Sequence, residues 1–118
     1  MRRLAITLAF LAIAPAAHAA DADAGARVFK AQCGSCHALG KNLVGPNLVG
    51  VVGRHAGAVE GFRNSAANKA ADFTWDAAKL DPYLADPKAV IPGTSMLYAG
   101  LKDDTRRADL IAYLETLK

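Results

Sequence analysis

Apolar residues open this chain as a run, Leu4 to Ala14, broken only by Thr7, and afterwards recur with helical spacing only in pieces. Val28 and Phe29 form a stripe leading to Cys33, and Asp21 and Asp23 stand where acidic side chains favour a helix start. Together they predict a first helix over about residues 22–34. From Gly40 to Gly61 the pattern lapses: six glycines and Pro46 occur with no helical period. Such a loop is long for a small domain, and long loops are usually functional or wrapped around something. No Gly-Lys-Ser/Thr follows these glycines and no strand precedes them, so a phosphate loop is disfavoured; they suit tight turns and close packing against a flat ring.

Beyond the loop, Ser65 to Ala71 predicts a short helix capped by Asn64 or Ser65. Thr74 begins another, running through Trp75 and Leu80 towards Leu84. Pro82 removes a hydrogen bond inside it, so either the helix kinks or Asp81 caps a new turn with Pro82 in first place. Asp86-Pro87 ends that segment, and Pro92-Gly93 makes a turn before Met96. The last helix starts near Asp103 or Asp104 and presents Leu110, Ile111, Leu114 and Leu117 on one face. About four helices and no convincing strand predict an all-α domain.

The N-terminus changes what the composition means. Arg2 and Arg3, the apolar run and Ala17-His18-Ala19 read as an export signal over residues 1–19 with a small-x-small cleavage site. The run is shorter than the roughly 20 residues a membrane-spanning helix needs. The expected mature domain, 20–118, has about 99 residues, of which only 22 are Leu, Ile, Val or Phe. That is barely above the ~20 % below which chains tend to disorder. A buried cofactor would supply the missing apolar surface, so cofactor and fold are expected to depend on each other. The whole chain carries 14 basic and 11 acidic residues; without Arg2 and Arg3 the formal charge falls from +3 to +1. That leaves no net basicity to suggest nucleic acid.

Cys33-Gly34-Ser35-Cys36-His37 carries the chemistry. A Cys-x-x-Cys-His segment is the attachment signature of a c-type haem. Each thiol adds across one porphyrin vinyl group, and the adjoining histidine supplies an imidazole to the iron. A structural zinc site needs four ligands, and the only other candidates are His18 and His55. A thiol redox motif belongs beside a βαβ pattern, which this chain lacks. Apart from Met1, Met96 is the sole methionine. It follows Pro92-Gly93-Thr94-Ser95 some sixty residues after His37, and its soft, neutral thioether favours ferrous iron. His55, the competing second ligand, lies beside Arg54 in a polar stretch that reads as surface.

These residues together resemble the class I cytochromes c. The resemblance runs through Gly25 and Phe29, Gly45-Pro46-Asn47-Leu48, Gly53-Arg54, Gly61-Phe62, Ser65-Ala66-x-Asn68-Lys69 and Trp75. It continues through Tyr83-Leu84-x-Asp86-Pro87-Lys88, Pro92-Gly93-Thr94-x-Met96 and Leu110-Ile111-Ala112-Tyr113-Leu114. It implies a cytochrome c fold around one covalent haem c, held by Cys33 and Cys36, with His37 and Met96 as axial ligands. Gly25 and Phe29 should cross the last helix near Leu110 and Tyr113. The Pro46 carbonyl should accept the other His37 ring N–H. Arg54 and Trp75 should bond a buried propionate, and Asn68, Tyr83 and Thr94 should form a polar group near Met96.

Two departures stand out. Asn64 occupies a place where the family commonly has a propionate-binding tyrosine. Gln32 and Ser95 replace lysines that mitochondrial members carry, leaving Arg27, Lys30, Lys41, Lys88 and Lys102 as a thinner basic patch. The function implied is that of a periplasmic one-electron carrier, monomeric and not an enzyme. A cytochrome bc complex would be the donor; an oxidase, reductase or photosynthetic reaction centre would be the acceptor. The rivals are a haem enzyme or gas sensor with an open sixth position, and a thiol–disulfide protein without haem.

Overall fold

The computed structural model of the protein describes residues 12–13 and 19–118, so the expected export signal falls, but for Ala12, Ile13 and Ala19, outside the described residues. Helix α1 spans Ala22–Gln32, capped by the Asp21 carboxylate, which accepts from the backbone N–H of Asp23 and Ala24. It stops two residues before the expected end. There the N–H groups of Cys33 and Gly34 both donate to the Phe29 carbonyl, at 2.8 and 2.9 Å, and turn the chain.

Helix α5 spans Asp104–Glu115, with Asp103 as its cap. It packs across α1 where Gly25 removes the obstacle: a Cβ there would stand 1.9 Å from the Asp109 carbonyl oxygen and 2.8 Å from Tyr113 Cβ. Phe29 and Tyr113 meet with ring centroids 5.5 Å apart. The Asp109 carboxylate accepts the backbone N–H of Asp21 at 2.8 Å, tying the start of α1 to the same face. Leu110 at the centre is completely buried. The crossing is as the resemblance implies.

Between them, α2 is a single turn, Ala66–Ala70, and Ser65 rather than Asn64 caps it, its hydroxyl accepting from the Asn68 N–H. Helix α3 spans Ala77–Ala85, three residues later than the expected start at Thr74. The reason is tertiary. Trp75 N–H donates to the Arg54 carbonyl and Gly53 N–H to the Trp75 carbonyl, both at 2.8 Å, so residues 74–75 stay extended against the loop. Thr74 pairs with His55 in an isolated bridge. Asp76 then caps α3, accepting from the Lys79 N–H.

Pro82 lies inside an unbroken α3, and Asp81 caps nothing. Its carboxylate instead takes Arg107 Nε at 2.6 Å, joining α3 to α5. Asp86 both ends α3 and caps a further short helix, α4, Pro87–Val90. Pro87 in first position begins a helix where the sequence pattern suggested only an end. The described residues contain five helices and no strand.

The haem-binding cleft

Helices α1, α3 and α5 and the long loop enclose a cleft of about 400 Å3. Its size lies within the ~300–1,000 Å3 of small-molecule and cofactor sites. All ten residues singled out in the sequence line it: Cys33, Cys36, His37, Pro46, Arg54, Asn68, Trp75, Tyr83, Thr94 and Met96. The segment 33–37 enters it because the chain turns directly after α1, with His37 N–H donating to the Cys33 carbonyl at 2.9 Å.

His37 is oriented by its neighbours. Its Nδ1 lies 2.9 Å from the Pro46 carbonyl oxygen. A carbonyl only accepts, so Nδ1 carries a proton here, and it is the neutral ring with that tautomer that offers its Nε2 lone pair to a metal. Gly45 packs against the same ring, and its N–H donates to the Cys36 carbonyl at 2.8 Å.

The two cysteines form no disulfide; Cys36 is exposed and Cys33 half-buried. Burial first, and the nearby Cys36 second, push Cys33 up to about 11. Before attachment, Cys33 is therefore a thiol at neutral pH.

Further round the cleft, Arg54 donates from Nη1 to the Asn47 carbonyl at 2.8 Å and from Nη2 to the Val49 carbonyl at 2.7 Å. Partial burial lowers its pKa from the ordinary value. Trp75 packs on Phe73 and Tyr83 with centroids 4.8 and 4.7 Å away. The Tyr83 hydroxyl and Thr94 Oγ1 are 3.2 Å apart, and Thr94 Oγ1 also accepts the Met96 N–H at 3.3 Å. Asn68 is held separately, its Oδ1 taking the Ser65 hydroxyl at 2.6 Å. His55 is not among the lining residues. Its ring nitrogens face the Ala56 carbonyl at 3.0 Å and the Asp72 carboxylate at 3.4 Å, at the surface.

Asn64, at the departure from the family pattern, lines the cleft and donates to the Gly57 carbonyl at 3.1 Å. Sequence reasoning missed much of the apolar lining. Leu48, Val59, Phe62, Leu80, Leu84, Leu110 and Leu114 face the cleft; their hydrophobicity marks them as buried, and nothing in their spacing says against what. Val44 and Leu97, also lining residues, are 78 % and 90 % exposed. Gln32 and Tyr98 also line the cleft, the first marked in the sequence only by the lysine it replaces and the second by no pattern.

The donor set fits a haem. Two cysteines beside a histidine whose ring is oriented, a thioether in the same wall, and a largely apolar interior match a flat, covalently held, largely apolar ring. An all-α domain folded around such a cleft is a c-type haem protein.

Comparison with known proteins sharpens the class. The model of the cytochrome c family matches residues 22–118. Cytochrome c2 of Blastochloris viridis is 51% identical over 120 residues, covering 98% of this chain and 93% of that protein. Cytochrome c-550 of Nitrobacter winogradskyi is 48% identical over 97 residues, 80% of this chain and 88% of the relative. The solved structure of cytochrome cH from Methylobacterium extorquens superposes with a TM-score of 0.78 at 48% identity, covering 81% of this chain and 98% of that one. The chain belongs to the cytochrome c family. It carries one covalently bound haem c and is an electron carrier, not an enzyme.

Proposed function

We propose that this protein is a periplasmic one-electron shuttle whose haem c is bound through Cys33 and Cys36 and ligated by His37 and Met96. The observation that carries the reading is that both thiols, the Nδ1-protonated His37 and Met96 share one cleft. A low-spin iron that keeps both ligands in each oxidation state is what the group supplies. The chain's own contribution is to hold the ligands still: Pro46 fixes the imidazole, and the Thr94 hydroxyl receives the Met96 N–H. Small movement on oxidation and reduction means a small barrier to electron transfer, and no general base or substrate pocket is needed.

The remaining assignments follow the same logic. Arg54 spends two of its five N–H donors on loop carbonyls, and the others are free for a propionate. The indole N–H of Trp75 donates to no protein group among the described residues, which suits the same role. Tyr83 and Thr94 form a polar margin beside Met96, while Asn68, tied to Ser65, is a separate polar point on the cleft wall. Residues 1–19 direct export and are cleaved after Ala19, so haem attachment takes place outside the cytoplasm. The partners are a cytochrome bc complex as donor and an oxidase, reductase or reaction centre as acceptor. Docking is weakly salt-dependent, because Gln32 and Ser95 thin the basic patch.

The test is the spin state. Purified ferric protein should be low-spin, and the ferrous form should resist carbon monoxide. High-spin ferric iron that binds carbon monoxide readily once reduced would instead indicate an enzyme or sensor with an open position.

A further inference from the structure

Residues 95–100, which carry Met96, pack Met96 and Tyr98 against the core and Gly100 close to the Ala85 carbonyl, but are held by few hydrogen bonds. Among the described residues, none of these positions takes part in a backbone–backbone hydrogen bond, whereas Thr94 before them and Leu101 after them do. Leu97 is 90 % exposed. Met96 N–H bonds only to Thr94 Oγ1, two residues away. One hydrogen bond of the segment reaches a distant part of the chain: the Tyr98 hydroxyl donates to Gln32 Oε1 at 2.9 Å, across 66 positions.

The location of that bond gives it meaning. Gln32 is the last residue of α1 and precedes Cys33; Tyr98 follows Met96 by two. Both side chains line the haem cleft. Tyr98 also lines a second, smaller cleft of about 220 Å3 with Asp86, Lys88, Leu97 and Ala99. Tyr98 and Leu97 thus line both clefts, at the place where the two approach each other.

We infer that the Tyr98–Gln32 hydrogen bond is a latch that holds the Met96 segment against the end of α1 and sets how often Met96 leaves the iron. Tyr98 and Gln32 are positioning residues: neither is a ligand, and each acts through the placement of Met96. The inference rests on the reading of Met96 as an axial ligand. With the latch closed, the ring and its amide partner bridge the attachment side and the methionine side of the cleft. With it open, the segment has no other distant hydrogen bond to restore it. A neutral, partly exposed hydrogen bond is worth a factor of roughly three to ten in such an equilibrium. The latch therefore tunes ligand lability and leaves the fold, which is secured by α1, α3 and α5, unaffected.

Stopped-flow binding of imidazole to the ferric holoprotein tests this, read at imidazole concentrations where the rate saturates and opening is limiting. Tyr98→Phe keeps the ring and removes the hydroxyl; Gln32→Met keeps the length and removes the acceptor. Each should raise the saturating rate by about three- to tenfold, the double variant by no more than either single one. Gln32→Glu, which retains an acceptor, should restore a rate near that of the unaltered protein. Should Tyr98→Phe fail to take up haem, Gln32→Met reports the same bond from its other end. Rates within twofold of the unaltered protein in both single variants, or strictly additive effects, would overturn the latch while leaving Met96 ligation intact. An unaltered ferric protein without the weak Fe–S absorption at the red end of the spectrum would overturn the ligand assignment, and the latch with it.

Discussion

Gly45 lies flat against the imidazole of His37: a Cβ at this position would stand 2.3 Å from Cε1 and 2.6 Å from Nδ1. Of the six glycines between 40 and 61, it is the one without a left-handed φ. Its requirement is therefore space for the ring and not backbone freedom. Gly45→Ala should push the imidazole from the Pro46 carbonyl and destabilise the holoprotein by about 1–3 kcal/mol, the usual cost of forcing atoms into a packed site. Guanidinium denaturation followed by haem absorbance measures it. A midpoint equal to that of the unaltered protein would show that the ring does not sit where Gly45 requires.

The α1–α5 crossing makes a parallel demand at Gly25. A Cβ there meets backbone, the Asp109 carbonyl at 1.9 Å, which cannot swing aside as a side-chain end can. Gly25→Ala should cost at least about 1–3 kcal/mol by separating the helices and loosening the Phe29–Tyr113 contact. Thermal unfolding of the holoprotein reports it, and a loss below about 0.5 kcal/mol, within the range of neutral surface changes, would refute the close crossing.

Arg107 illustrates how burial decides what an ion pair is worth. Its side chain is 10% exposed, while Asp81 is 54% and Asp104 89% exposed. The hydrogen bond to Asp81, above all, raises the pKa of Arg107. Removing the arginine also leaves the buried-side bond to the Leu101 carbonyl, 3.0 Å from Nη1, without its donor. Arg107→Met should therefore cost about 1–3 kcal/mol. Asp81→Asn should cost no more than about 1 kcal/mol, since exposed partners are screened by water. Chemical denaturation of both variants separates them, and equal losses would run against this ordering.

Removal of haem should unfold most of the chain. The cleft is lined by the same leucines that would otherwise form a core, Leu80, Leu84, Leu110 and Leu114 among them. Without the ring they face a void of about 400 Å3 in a domain already short of large aliphatic residues. Circular dichroism of protein from which haem has been removed should show little helix and no cooperative melt; a sharp, native-like transition would disprove the interdependence.

How far the sequence alone led depended on how local each cause was. Cys33, Cys36, His37 and Met96 stand out by residue type alone, and the structure brings all four to one cleft. Asp21, Ser65 and Asp103 were among the residues the sequence offers at helix starts, because a cap acts within three residues; the structure selects Ser65 over Asn64 and Asp103 over Asp104. Helix α3 was misplaced because its start is set by Trp75, which donates to the Arg54 carbonyl and accepts from Gly53 more than twenty positions back, bonds that leave no mark on periodicity. Asp86-Pro87 read as an end because the same pair both stops one helix and starts the next. The Tyr98–Gln32 bond was invisible, since neither residue has a pattern that points to the other.

The account turns on Met96, and the most direct measurement is the electronic spectrum and reduction potential of the ferric Met96→Ala holoprotein beside the unaltered one. The unaltered protein should show the weak Fe–S absorption at the red end of the spectrum. Met96→Ala should lose it and fall in potential, because the thioether that favours ferrous iron is gone. An unchanged spectrum and potential would mean that another group holds the iron, and would contradict the proposed His37–Met96 pair.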